Sequence, residues 1–358
     1  MNITWKYTKK IVNDLIKINS VKEIVDLLEL PIFIEEEIKK ETLIKRVHYS
    51  TKIEGNNLNL NEVKNIIENK NKSSHERNAL EVRNYYNALI YLNEKAENEN
   101  TITEELIKEI HNLVSGKHLN YKCKYRDGQN VVTNSTTGTI VYMPPEAKDV
   151  KILIREMIDK FNSEEMKDIP IPIKAAIIAY EFVTIHPFWD GNGRTSRLLA
   201  TYILKSNGYD LKGFYVMEEF YDKNINDYYN SLQMGLHHNF YFGRCDADIT
   251  EWLEYFMGIM STTFELVGNK VKEIYKSTKD EINIIDTLDK RERWIVNYIL
   301  TNKKIKAKDI ANHFKINVDT ANNWIKKWIE KEFLMRYDSK QIRNVDYILT
   351  PKYYKKLK

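Results

Sequence analysis

The stretch His186-Pro187-Phe188-Trp189-Asp190-Gly191-Asn192-Gly193-Arg194-Thr195-Ser196-Arg197 places an imidazole, a carboxylate, two glycines and two arginines within twelve residues. Both of its flanks read as helix. From Ile173 onward Ala175, Ile177, Ile178 and Phe182 make a strongly apolar, hence buried, segment over roughly 171–185. Pro187 forces that helix to stop and leaves His186 at the rim of a loop. Gly191 and Gly193 let the backbone turn tightly around Asn192 and leave N–H groups bare. The following helix, about 194–206 with Gly208 to end it, points its orphan N-terminal donors and positive dipole end into the same hollow. Arg194 and Arg197 project on neighbouring faces of its start, and Asp190 is a hard oxygen ligand suited to Mg²⁺ shared with phosphate oxygens.

Working outward, the spacing predicts a helix over about 35–53 with Ile38, Ile44 and Val47 among its apolar positions and Gly55 to end it. Asn61 is read as the cap of a short helix carrying Val63, Ile66 and Ile67, and the polar run 69–78 as a loop into a helix that reaches about 97. Thr103 is an N-cap before Leu106, Ile110 and Leu113. From Tyr125 to Pro145 the pattern changes: turn signals at Asp127-Gly128 and Thr137-Gly138 flank the strand-type residues Val131-Val132 and Thr139-Ile140-Val141-Tyr142, a small β-hairpin. Helices are expected near 149–163, 224–236 and 249–277, the last capped by Asp248.

The composition fits an α-rich globular chain: 358 residues, 42% hydrophobic and 30% charged, with only 12 Gly and 7 Pro. The first thirty residues are interrupted throughout by Lys, Asp and Glu, so no signal-peptide core or membrane-length apolar run is read there. Cys123 and Cys245 lie far apart and outside any C-x-x-C arrangement, as expected of reduced thiols in a cytoplasmic protein. The net charge of +4 hides an asymmetry: Lys290–Lys358 holds 18 Lys/Arg against 7 Asp/Glu, and the remaining 289 residues hold 37 against 44. Any nucleic-acid argument therefore belongs to the tail.

The loop resembles the Fic family signature, HPFx(D/E)GN(G/K)Rxx(R), at all nine specified positions. A lone His before Pro is usually a polar cap and an Arg pair usually a solvated face; nine positions in order outweigh both bland readings. The hairpin ending in Tyr142-Met143-Pro144-Pro145 is similar to that family's target-positioning flap, and Tyr228-Tyr229 and Ile249–Met260 are similar to its later elements. Residues from about 30 to 265 are covered by the resemblance. It implies a mainly α, Fic-type helical bundle with a small hairpin flap. It also implies transfer of AMP from ATP to a Ser, Thr or Tyr hydroxyl of a protein, the chain itself included. On that resemblance His186 is the base, Asp190 holds Mg²⁺ and Gly191, Asn192 and Gly193 line the anion hollow. Arg194 binds the γ-phosphate, Arg197 adds charge beside it, and Tyr228 and Tyr229 join the nucleotide site. Transfer of UMP, phosphate or phosphocholine shares the same loop.

A second stretch, Ser50-Thr51-Lys52-Ile53-Glu54-Gly55-Asn56, places Ser50 and Glu54 on one helical face. It resembles the family's inhibitory motif (S/T)xxxE(G/N). The resemblance implies that Glu54 pairs with Arg194 and holds the triphosphate in an unreactive pose. It equally admits Glu54 orienting a water that removes AMP from a modified target.

After the charged stretch 276–290 the pattern resets. Helices near 291–301, 306–314 and 318–331 followed by strands at Phe333–Tyr337 and Asp346–Thr350 outline a winged helix-turn-helix. Asn322, Asn323, Lys326 and Lys327 would lie on the recognition helix, Lys340 and Arg343 on the wing, and Trp324, Ile325 and Trp328 in the core. The division expected is an N-terminal helical region (1–100), a Fic core (101–280) and a winged helix (288–358) that meets DNA, a protein partner or a second copy of the chain. The competing function is a DNA-binding regulator in which the Fic unit senses nucleotide.

Overall fold

The structure, a computed structural model, describes residues 1–68, 77–133, 137–338 and 345–354. Its elements run α1 (Lys9–Leu27), α2 (Ile32–Ile53), α3 (Leu60–Glu68), α4 (Arg77–Lys95), α5 (Glu104–Val114), β1 (Val132–Thr133) and β2 (Ile140–Tyr142). They continue with α6 (Ala147–Phe161), α7 (Ile171–Ile185), α8 (Asn192–Ser206), α9 (Glu218–Lys223), α10 (Ile225–Gln233) and α11 (Thr250–Thr287). The tail holds α12 (Lys290–Asn302), α13 (Ala307–Phe314), α14 (Val318–Glu330), β3 (Leu334–Arg336), β4 (Tyr347–Leu349) and a last turn, α15 (Pro351–Tyr354). The mainly helical class read from the sequence is the one adopted. Two compact units result, Met1–Leu27 with Lys39–Gly268, and Leu28–Ile38 with Asn269–Lys358. No described helix is long and apolar enough to cross a membrane.

The first unit is organised around α7 and α8. Ile173, Ala176, Ile177, Tyr180 and Phe182 of α7 and Leu198, Leu199, Tyr202 and Ile203 of α8 are buried. Each Ile, Leu or Phe side chain among them taken fully from water stabilises the fold by about 1.5–3 kcal/mol before entropy is counted. Trp252 of α11 packs here and satisfies its indole by donating to the Ala176 carbonyl at 2.8 Å. Thr103 caps α5 as its sequence suggests, accepting from the Leu106 amide at 3.0 Å, and Asp248 accepts from the Thr250 amide at the start of α11.

Three local expectations shift. The cap of α3 is Asn59 rather than Asn61: Asn59 Oδ1 accepts the Asn61 and Glu62 amides while Glu62 returns to the Asn59 amide, a capping box. The helix expected over 224–236 forms as the shorter α10, Ile225–Gln233, and a separate short helix, α9, that was not expected precedes it. And α11 continues to Thr287, because 269–287 contains no Gly or Pro to stop it.

The expected hairpin forms, with Val132 opposite Tyr142 and Thr133 opposite Ile140; residues 134–136, at its tip, lie outside the described residues. Its exit is tied down where Met143 donates to the His238 carbonyl and accepts from the Phe240 amide. Val131 and Ile140 are exposed.

In the second unit α12–α14 are followed by the antiparallel pair β3–β4 in the register Leu334–Leu349, Met335–Ile348 and Arg336–Tyr347. Ile295, Val296, Ile299, Ile310, Ile325, Trp328, Phe333 and Leu349 form its core, with Trp324 packed partly buried against it. Asn317 caps α14 through the Thr320 amide at 2.7 Å. Lys340 and Arg343 lie outside the described residues.

Candidate active site

His186 is the residue at which α7 stops. It takes the left-handed conformation (φ 51°, ψ 58°), its amide still donating to Phe182 O at 3.0 Å, and Pro187 prevents a further helical turn. Such a backbone is uncommon for a residue with a Cβ and persists where the surroundings over-determine it. The ring is held as well: Nδ1 lies 3.1 Å from the Val183 carbonyl. A carbonyl only accepts, so Nδ1 carries the hydrogen and, in the neutral ring, Nε2 is left with a free lone pair. Burial lowers the His186 pKa, the Val183 hydrogen bond offsetting part of the effect, so the ring is neutral near pH 7.

The loop after it is braced from within. Asn192 accepts from the Phe188 amide at 2.9 Å and donates to the Phe188 carbonyl at 2.8 Å. The expectation that Asn192 lines the anion hollow is narrowed: its carboxamide is buried and spent on closing the turn, and Gly193 is the loop glycine that lines the cavity. The Phe188 ring stacks on His111 of α5, centroids 3.5 Å apart and nearly parallel. Burial pushes the His111 pKa down to about 4. Gly191 sits at φ +75°, where a Cβ would also press on Val114.

Asp190 stands at the mouth of the loop with its side chain 75% exposed, 3.4 Å from Arg194 Nη2. Arg194 is otherwise buried and its Nε is a buried donor without a protein acceptor. A single accessible carboxylate beside such donors fits Mg²⁺ brought in with phosphate oxygens, since that ion keeps waters and takes few protein ligands. It does not fit an all-protein cage, and among the described residues no three His, Cys, Asp or Glu groups gather.

Arg197, one turn further along α8, is buried and faces α2. Its Nε donates to Ser50 Oγ at 2.9 Å, and Nη2 donates to the Ser50 carbonyl at 2.8 Å and to Glu54 Oε1 at 3.0 Å. The expected Glu54–Arg194 pair is thus corrected to Glu54–Arg197. Residues three apart on a helix differ by about 60° around its axis: Arg197 meets α2, while Arg194 folds back onto Asp190. Burial opposes the Arg197 charge, but Glu54 and Tyr228 more than offset it and its pKa stands above the ordinary value. Ser50 and Glu54 do share one face. Gly55 (φ +93°) ends α2 just beyond Glu54. The carboxylate reaches so far over the first turn of α8 that a Cβ on Gly193 would collide with Glu54 Oε1.

Of these groups Glu54, His186, Gly193 and Arg197 line a cavity of about 820 Å³, with Tyr228, Tyr229, β1, β2 and Arg244 on its other walls; Asp190 and Arg194 are not in its lining. Tyr228 is buried against Tyr221, ring centroids 4.7 Å apart. Tyr229 is partly exposed, its hydroxyl donating to the Ile53 carbonyl at 3.4 Å. Sequence reasoning missed His111 and Arg126. The first lies among the apolar positions of α5, where a histidine passes for a core residue. The second precedes the Asp127-Gly128 turn, and its place at the stem of the hairpin was the only local signal.

Residues 101–204, from the approach to α5 through most of α8, match the Fic/DOC family. The chain therefore carries a Fic/DOC domain. Curated relatives named protein adenylyltransferase Fic include one from Nematostella vectensis, 34% identical over 205 residues that cover 55% of this chain and 44% of that protein. Another, from Culex quinquefasciatus, is 35% identical over 177 residues, 48% of this chain and 34% of that protein. The matched part thus spans under half the length of these curated relatives. The fold is also that of a crystal structure of a Fic family protein from Desulfovibrio desulfuricans G20, with a TM-score of 0.61 at 23% identity over 98% of this chain and 99% of that one.

Proposed function

We propose that the chain is a protein adenylyltransferase, moving AMP from ATP to a hydroxyl of a protein target or of itself, and that Glu54 restrains it. The observation that carries the reading is the convergence of the free Nε2 of His186, the first turn of α8 and the Glu54–Arg197 pair on one cavity. The target hydroxyl oxygen attacks the α-phosphorus of ATP, its proton passes to His186 Nε2, and the bond to the β-phosphate oxygen breaks to release pyrophosphate. A neutral imidazole with its other nitrogen fixed on Val183 is suited to that proton transfer. The amides at the start of α8, with Arg194 and Arg197, bind the phosphates. Asp190 would hold Mg²⁺, which supplies charge neutralisation to the departing phosphates.

Glu54 occupies the guanidinium of Arg197 and lies over Gly193, so a phosphate cannot use both while it is there. The two curated relatives described above, both named protein adenylyltransferase Fic, support the reaction class. Incubation with Mg-ATP followed by intact mass measurement tests it. Glu54→Gly is expected to gain the mass of AMP and Glu54→Gly/His186→Ala to gain none; a bare Glu54→Gly chain, unable also to label proteins of a cell lysate, sinks the proposal. AMP loss from labelled protein that requires Glu54 would instead mark the reverse reaction.

For the second unit we infer a winged helix that meets the DNA backbone through α14, whose Asn323, Lys326 and Lys327 are exposed. Binding of the full chain to duplex DNA should weaken steeply with salt and weaken further in Lys326→Ala/Lys327→Ala. Equal retention by the variant and the parent at low salt removes this assignment in favour of a protein interface.

A further inference from the structure

Arg126 is a buried cation, 2% exposed, whose guanidinium is committed to backbone carbonyls rather than to a carboxylate. Nε donates to the carbonyl of His186 at 2.9 Å, Nη1 to that of Gly128 at 3.0 Å and Nη2 to that of Pro145. Its own amide donates to the Pro187 carbonyl at 2.9 Å. These acceptors have distinct places. His186 carries the free imidazole nitrogen in the cavity, Gly128 lies on the chain entering β1, and Pro145 lies on the chain leaving β2. One planar fork therefore measures off the strained backbone of His186 against both stems of the hairpin.

Neighbouring contacts reinforce the same junction. Gln129 donates to the Pro144 carbonyl at 2.9 Å, tying stem to stem, and Asn130 donates to the Phe188 carbonyl at 3.2 Å, tying stem to loop. The phosphate hollow draws mainly on other supports, Asn192 within the loop and Ser50 behind Arg197, although Asn192 and Asn130 share the Phe188 carbonyl; none of them is an acceptor of Arg126. From this separation we propose that Arg126 is a positioning residue that sets the hairpin, and hence an acceptor lying along it, in register with His186 Nε2, without contributing to nucleotide binding. The inference rests on the adenylyltransferase reading for its rate effect and on geometry alone for its structural effect.

A lysine keeps the charge but presents it as a point, and cannot span three carbonyls in fixed directions. In the Glu54→Gly chain, Arg126→Lys and Arg126→Gln are expected to slow AMP incorporation roughly 10²-fold, the loss that about 1 Å of misplacement can cause. Mg-ATP affinity should stay unchanged, and amide exchange should quicken at 128–133 and 140–143 but not along α8. Rates matching the Glu54→Gly parent, or exchange unchanged in both stems, overturn the proposal. So does a loss of Mg-ATP affinity or a global fall in melting temperature as large as the loss of rate, which would make Arg126 a general structural residue. If Glu54→Gly transfers nothing at all, the reaction assignment fails by itself, and the exchange pattern still decides whether Arg126 holds the stems to His186.

Discussion

Replacing Glu54 tests how the hollow is held closed, because two substitutions separate charge from bulk. The Glu54–Arg197 contact is one charge-assisted hydrogen bond of 3.0 Å between a side chain 26% exposed and one 5% exposed. Such a bond is worth about 1.5–3 kcal/mol, and the partial solvation of Glu54 favours the lower half of that range. Freeing Arg197 should therefore raise the rate of AMP incorporation roughly 10- to 30-fold, at 1.4 kcal/mol per factor of ten. Glu54→Gln removes the charge but keeps a side chain over Gly193; Glu54→Gly clears the hollow as well. The order expected is Glu54→Gly fastest, Glu54→Gln intermediate, parent slowest, in initial-rate incorporation of labelled nucleotide at fixed Mg-ATP. Arg197 remains placed by Ser50 Oγ and the Ser50 carbonyl, but it loses its carboxylate, so ligand-free Glu54→Gly should melt below the parent and regain stability with Mg-ATP. The reasoning is refuted if neither variant exceeds the parent, or if Arg194→Ala releases incorporation as Glu54→Gly does.

Gly193→Ala should abolish incorporation even in the Glu54→Gly chain, because the new methyl stands where Glu54 Oε1 now lies and a phosphate would have to lie; retained labelling by mass would contradict this. The pH dependence of stability offers a different reading. His111 has a folded pKa of about 4 against 6.5 for a free imidazole, so its contribution is complete above pH 6.5 and drains away as pH falls toward 4. Between pH 7 and pH 5 the parent should lose about 2 kcal/mol more than His111→Phe, which keeps a ring to stack on Phe188; chemical denaturation at the two pH values checks it, and equal losses would mean that His111 is not buried as described.

What the chain reveals by inspection is what sits close together in it. His186, Gly191 and Gly193 could be placed at one hollow because a proline, two glycines and a helix start lie within a few residues, and each acts on its immediate backbone. Thr103 and Asp248 were readable as caps for the same reason. The partner of Glu54 was not. Choosing between Arg194 and Arg197 requires the rotation of α8 against α2, a relation between residues 143 apart in sequence, and no local pattern carries it. Asn192 misled because a carboxamide between two glycines serves a ligand or its own turn equally well until the Phe188 backbone is seen to claim both ends. Arg126 shows the limit most plainly: its three acceptors come from Gly128, Pro145 and His186, and only the folded chain brings them to one guanidinium.

Glu54 lies one residue past the last residue of α2, on a turn whose amide bonds to Thr51, three residues back. Helix ends fray, opening at far smaller free energy than the body of a fold and on microsecond or shorter timescales. The carboxylate lying over Gly193 is thus mounted on a single capped turn, where Gly55 and Asn56 donate to the Lys52 and Thr51 carbonyls and Asn56 is anchored on Asn78. Breaking that one turn would swing it clear while Ser50 stays docked on Arg197, so on the proposed function idle turnover would reflect the opening of one terminus rather than the separation of whole elements.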